Sequence, residues 1–349
     1  MIKSLSSTLT ASAFYVIAAA AHASEASPNN QSDYVNRPEV KAMIDELAEE
    51  GLDRQRITSL MFQAKRQDKI LEAIARPAEK TLTWAQYQKI FIQQSRMDQG
   101  NAFRKEQEAI LAKAESVSGV DRDMILAIIG IETRYGRQRG GYKVIDALAT
   151  LGFDYPPRST FFRGQLKELF RLEQSAHIDA ATITGSYAGA MGYPQFIPSS
   201  YINFAVDFDE DGKTDLVDNP VDAIGSVANY FKEHKWQTGL PVAARARVEG
   251  DKYQALVNDK GKPDTTLKQA IKAGITPVPC KESEHCFDKL AKDTDVALLE
   301  LEGERGKEYW LVTQNFYVIT RYNHSVLYAM AAYQLSREFE KTNPDKKHK

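Results

Sequence analysis

The stretch MILAIIGIETRYGRQRGG, residues 124–141, constrains this chain most: an apolar helical run that has to be buried, interrupted by one acid, Glu132. At 3.6 residues per turn, Ile129, Ile128 and Ile125 precede Glu132 by three, four and seven positions, so its carboxylate shares a face with isoleucines. That is a costly place for a charge. Burial without a cationic partner favours the protonated form, which is what a general acid needs near neutral pH. The structural alternative is a helix-end glutamate paired with Arg134 or Arg137.

The first residues, MIKSLSSTLTASAFYVIAAAAHAS, join Lys3 to a short apolar run and an Ala21-His22-Ala23 cleavage pattern. They read as a signal peptide over 1–23, too short to span a bilayer comfortably, so export with release is expected. No cysteine near the cleavage site offers a lipid acceptor. The mature chain is long enough for about two domains, and a formal net charge of −2 suggests neither nucleic acid nor an anionic membrane as partner. Cys280 and Cys286, in CKESEHC, read most simply as a local disulfide tying a turn in an exported protein. A metal site enlisting His285 lacks a second cysteine or histidine cluster.

Residues 24–37 and 341–349 are polar and expected to be mobile. Amphipathic helices follow over 38–120, broken at Gly51, Pro77 and Gly100, with Met61, Phe62, Ile70, Leu71 and Ile74 as their core; part of 145–182 is expected to join them. Residues 121–240 are mainly helical but carry unusually specific loops, where function is expected to sit. The alternating patterns of TDVALLELE and EYWLVT around GERGK predict a hairpin in a small β-rich domain over 241–312. A C-terminal helix over 313–340 then returns to the core.

In DFDEDGKTDLVD, Asp207, Asp209, Asp211, Asp215 and Asp218 take positions 1, 3, 5, 9 and 12, with Gly212 at 6 and the Lys213 carbonyl at 7. This is the spacing of an EF-hand calcium loop. Asp218 departs from the usual glutamate at position 12. The alternative is a solvated acidic turn, but five carboxylates in twelve residues would repel one another without a cation. A lone loop argues for a structural Ca2+ clamp rather than a sensor; no organic cofactor is expected.

GSYAGAMGYPQFIPSSY, residues 185–201, combines small residues, which permit close approach, with hydroxyls and the amide of Gln195. Together with IETRYG, DALATLGFDYP, the aspartate loop, PVDAIGSVANYF and NFYVITRYNHS, it resembles the membrane-bound lytic murein transglycosylase B family and its soluble relatives from about Trp84 to Leu335. The resemblance implies a mainly α (α+β) fold: a lysozyme-like catalytic core with an added helical domain and a small β-rich insertion. It also implies a periplasmic enzyme that cuts the β-1,4 link between N-acetylmuramic acid and N-acetylglucosamine in peptidoglycan glycan strands, leaving a 1,6-anhydro end. Other wall-remodelling proteins are open as partners.

Glu132 falls on the family's single catalytic acid, Ser186 on the hydroxyl that helps position it, and Gln195 on a substrate-binding amide. Tyr87, Tyr230, Tyr317, Tyr322 and Asn323 fall in matching segments and are expected to contact substrate. Pro194 stands where the family commonly has glycine, removing a backbone donor beside Gln195. Two rival readings stay open at this point: a hydrolytic muramidase, and a calcium-stabilised wall-binding protein without catalysis.

Overall fold

In the computed structural model, residues 34–75, 82–176, 178–279 and 286–342 are described. The expected signal peptide, Pro77, Cys280 and His285 lie outside them. Three short helices open the chain, α1 (Pro38–Glu49), α2 (Arg54–Gln63) and α3 (Asp68–Ile74), followed by α4 (Trp84–Phe91), the long α5 (Gln94–Ser118) and α6 (Arg122–Thr133). The central segment gives β1 (Tyr142–Lys143), α7 (Val144–Asp154), α8 (Ser159–Ala176), β2 (Thr184–Gly185), α9 (Pro198–Phe204) and α10 (Pro220–Glu233). Next come β3 (Ala243–Val248), β4 (Thr265–Thr266), α11 (Leu267–Lys272), β5 (Ile275–Pro277), β6 (Asp295–Gly303) and β7 (Gly306–Val312). Helices α12 (Gln314–Tyr322) and α13 (Val326–Thr342) close the fold.

The fold is mainly helical with one antiparallel five-stranded sheet, in the order β4-β6-β7-β3-β5. GERGK makes the expected hairpin, Gly303 pairing with Gly306 across Glu304 and Arg305. Alternation along β6 serves two cores: Ala297, Leu299 and Leu301 pack on the helical body, while Val296 and Leu298 join Leu267, Ala270 and Ile275 of the α11 side. The helical body shares one apolar core from Tyr34 to Phe339. Helices α7 and α8 lie against the N-terminal helices, where Arg56 pairs with Glu173 at 2.7 Å and Arg171 with Glu50 at 2.8 Å. Among the described residues no helix is long and apolar enough to cross a membrane.

Several expectations need correction. Gly100 does not break a helix: α5 runs through it, because a Cβ there would sit 2.4 Å from both the Phe339 ring and the Tyr135 hydroxyl. Glycine here serves close packing rather than a turn. Residues 34–37 are docked, with Tyr34 fully buried against Phe153 and its hydroxyl donating to Asp154 at 2.5 Å. Phe62 is 58% exposed rather than core. The expected single C-terminal helix is two, interrupted at Asn323, whose backbone is extended (φ −140°, ψ 126°) and whose Oδ1 accepts from the Ser325 amide at 3.1 Å. An Asx turn of this kind competes with helix continuation.

Candidate active site and carboxylate loop

Helix α6 delivers Glu132 one residue before its end. The Asp121 carboxylate caps the start of the helix, accepting from the Asp123 amide at 2.8 Å. Ile125, Ile128 and Ile129 are fully buried, and Glu132 itself is only partly so. Arg134, Tyr135 and Gly136 then take left-handed backbones at φ 49°, 61° and 81°. Two non-glycine residues in that region in succession are unusual, and the surroundings hold them. The Tyr135 ring packs on Phe103 (5.5 Å) in the space left by Gly100 and Gly130, and the Thr133 hydroxyl donates to the Tyr193 carbonyl at 3.0 Å. Arg134, one of the cations weighed for Glu132, reaches Gln99 (3.3 Å) and Ser95 (3.0 Å). Arg137 is exposed.

The Tyr328 hydroxyl, from the first turn of α13, donates to Glu132 Oε1 at 2.7 Å. Tyr328 is fully buried and nearly parallel to Tyr322 (6.4 Å between centroids, 6° between planes), which in turn meets Tyr230 edge-on at 4.8 Å. Tyr322 donates to the Pro194 carbonyl at 2.5 Å, and Tyr230 to the Arg321 carbonyl at 2.6 Å. Burial, and then the negative charge of Glu132, push the Tyr322 hydroxyl well above its ordinary pKa, so it stays a neutral donor.

The loop over 185–197 closes on itself. The Ser186 hydroxyl accepts from the amides of Ala188 (3.2 Å) and Ala190 (3.0 Å), bonds that shape the loop. Gln195 has φ 50°, and its side-chain nitrogen donates to the carbonyls of Gly192 (2.9 Å) and Arg139 (3.2 Å). Asn323 is 4% exposed, and its buried Nδ2 has no hydrogen-bond partner among the described residues. Tyr230 and Tyr322 therefore gather near Glu132 through Tyr328, and Asn323 follows Tyr322 directly in the chain. Tyr87 is buried against Phe91 (5.0 Å) in α4, and Tyr317 is half-buried with the Lys262 ammonium 5.9 Å from its ring centroid. Sequence reasoning missed Tyr328, because a tyrosine on an apolar helix looks like any core aromatic.

The aspartate loop brings oxygen atoms of Asp207, Asp209 and Asp211 within 4.8 Å of one another. Gly212, at φ 87°, makes the sharp turn, and Asp207 accepts from the Asp211 and Gly212 amides at 3.1 and 2.8 Å. Asp215 accepts from the Val217 and Asp218 amides, while Asp218 pairs with Arg139 at 3.0 Å. Beneath the loop lies Asp222, fully buried, its two oxygens each accepting at 2.8 Å from the amides of Phe208 and Asp215. Burial first, with Asp209 and Asp207 adding to it, holds its carboxyl above the usual range. It too escaped the sequence reading, lying past the end of the twelve-residue pattern. The clustered oxygens are hard donors, the set that suits a divalent cation such as calcium.

Residues 36–337 match the family described as the transglycosylase SLT domain. The chain is 40% identical over 315 residues to the membrane-bound lytic murein transglycosylase B of Escherichia coli (strain K12), covering 87% of this chain and 83% of that protein. The Escherichia coli lytic transglycosylase Slt35 in complex with calcium aligns with a TM-score of 0.80 at 39% identity, over 90% of this chain and 96% of that one. SltB3 from Pseudomonas aeruginosa in complex with NAG-NAM-pentapeptide aligns with a TM-score of 0.76 at 29% identity, over 88% and 80% of the two chains.

Proposed function

Because this chain belongs to the transglycosylase SLT family and is a lytic transglycosylase acting on peptidoglycan, we propose that Glu132 is the single acid and base of its reaction. The observation that carries the reading is the partly buried Glu132 carboxyl receiving the Tyr328 hydroxyl at 2.7 Å beside an aromatic wall. Protonated Glu132 gives its proton to the glycosidic oxygen as the bond to the muramic acid C1 breaks. The sugar's acetamido group stabilises the oxocarbenium-like centre, and the Glu132 carboxylate then takes the proton from the sugar's O6 hydroxyl. O6 attacks C1 and closes the 1,6-anhydro ring, so every proton is accounted for without water. Ordinary glycosidases need a second carboxylate for base or nucleophile; here the substrate's own hydroxyl replaces it. What the protein must supply is an oriented sugar and restricted water.

Asn323, with its unpartnered Nδ2, supplies a donor to substrate, and Gln195 presents its amide oxygen from a loop braced through its nitrogen. Ser186 acts by shaping that loop. Asp207, Asp209 and Asp211, with the Lys213 carbonyl, Asp215 and Asp218, hold a structural Ca2+, a reading supported by the clustered oxygens and by the calcium in Slt35. The enzyme works in the periplasm, as its apolar leader and cleavage pattern suggest, on strands that carry stem peptides, as the ligand of SltB3 does.

Mass spectrometry of muropeptides released from purified peptidoglycan tests the reaction. Products about one water lighter than hydrolytic ones, absent with Glu132→Gln, are expected. Reducing ends would instead mean hydrolysis and a second base.

A further inference from the structure

The loop GRQRGG, residues 136–141, follows Glu132 closely and has no part in the chemistry above, yet it joins two other loops. Gly136 and Gly140 take left-handed backbones at φ 81° and 92° and lie against the Tyr193 ring and the Gly185–Ser186 backbone, where a Cβ would have no room. Between them, Arg139 is bonded at both of its ends. Its carbonyl accepts from the Gln195 side-chain nitrogen at 3.2 Å. Its guanidinium donates to the Val217 carbonyl and, at 3.0 Å, to Asp218 Oδ1, and lies 5.4 Å from the centroid of the Tyr193 ring. Val217 and Asp218 close the carboxylate loop. That loop meets the Gln195 segment a second time, where the Tyr193 amide donates to the Leu216 carbonyl at 2.9 Å. The two N–H groups of the Gln195 amide are taken up by the Gly192 and Arg139 carbonyls, so the direction of its oxygen follows where the Arg139 backbone stands.

We propose that Arg139 is a positioning residue that couples cation binding in the carboxylate loop to glycan binding at Gln195. The Arg139 and Asp218 side chains are 35% and 75% exposed, and an ion pair so open to water adds little to stability by itself. Its consequence lies in what it connects. Asp218 is both the expected position-12 ligand of the loop and the Arg139 acceptor. A carboxylate has two oxygens and about four lone-pair sites, so a cation and a guanidinium can share it. Fixing Asp218 restrains the guanidinium against Tyr193 and, with it, the carbonyl that orients Gln195. Less is then left to order when a sugar arrives, and the sugar binds more tightly. By linkage the sugar tightens the cation by the same factor. The proposal rests on the readings of Gln195 as a substrate amide and of the aspartate loop as a calcium site.

Calorimetry on the Glu132→Gln protein tests it. A soluble, peptide-free tetrasaccharide of alternating N-acetylglucosamine and N-acetylmuramic acid is titrated in calcium and in chelator, and calcium is titrated with and without the sugar. Each ligand should tighten the other about fivefold, the low end of what coupled sites show. Adding Arg139→Gln should remove the coupling while calcium still raises the melting temperature. Arg139→Lys keeps a charge and donors for Val217 and Asp218 and should restore part of it. A merely structural Arg139 would lower the melting temperature in Arg139→Gln and leave the fivefold factor intact, which overturns the proposal alone. So does sugar binding that is indifferent to calcium in the Glu132→Gln protein. Absence of sugar binding in every protein overturns the Gln195 reading with it, and absence of calcium binding the cation reading.

Discussion

Glu132 costs free energy where it stands: fully buried isoleucines flank it on α6, and the neutral phenol of Tyr328 donates to its carboxylate. Tyr328→Phe removes the hydroxyl while keeping the ring in its stack. A hydrogen bond to a charged group is worth about 1.5–3 kcal/mol, so kcat should fall roughly ten- to a hundredfold with KM nearly constant and an unchanged circular dichroism spectrum. A fall in KM affinity alone would place Tyr328 in binding instead. A second residue-scale prediction concerns pH. Burial holds His234 below its ordinary pKa of 6.5, so the unfolded chain binds that proton more readily. The stability contributed by neutral His234 is present above about pH 6.5 and is lost as pH falls toward the lower folded pKa. His234→Gln should flatten the decline in melting temperature between about pH 7 and pH 5; an unaltered slope would refute the assignment. The acid was legible because an ionisable residue in an apolar run violates the local pattern. Tyr328 and Asp222 were not, since nothing in their local sequence marks what they meet across the fold.

Helix periodicity marked the helical regions without resolving their individual helices, and turn chemistry marked the β6–β7 hairpin, because both are local. Gly100 and Asn323 show where local rules lose to packing. Alanine is the better helix former by about 1 kcal/mol, yet Gly100→Ala should destabilise by about 1–3 kcal/mol in denaturant titration, since its Cβ meets Phe339 and Tyr135 at 2.4 Å. Gly164 is the internal control: it lies inside α8 with nothing within 4 Å of a built Cβ, and Gly164→Ala should stabilise by about 0.5–1 kcal/mol. The same sign for both would show that propensity, not packing, governs these glycines. The break at Asn323 separates α12 from α13 and so sets where Tyr328 enters the site.

At the scale of the molecule, the carboxylate loop links α9 to α10 and touches α5, where the Lys113 ammonium meets the Phe208 carbonyl at 2.8 Å. A cation bound there would favour the folded state by mass action. Chelation is expected to lower the melting temperature, saturating calcium to restore it, and Asp207→Asn with Asp209→Asn to abolish the dependence; a calorimetric trace indifferent to chelator would exclude the clamp. By itself the sequence determined the periodic elements, the hairpin, the oxygen-rich loop and the acid in its apolar run, since each is written in spacings of a few residues. Only the tertiary structure decided that Tyr328, 196 positions from Glu132, donates a hydrogen bond to it, that Asp222 underlies the loop, and that Gly100 continues a helix. Those depend on which faces of distant elements meet, and long-range packing is set by the whole core rather than by any local pattern.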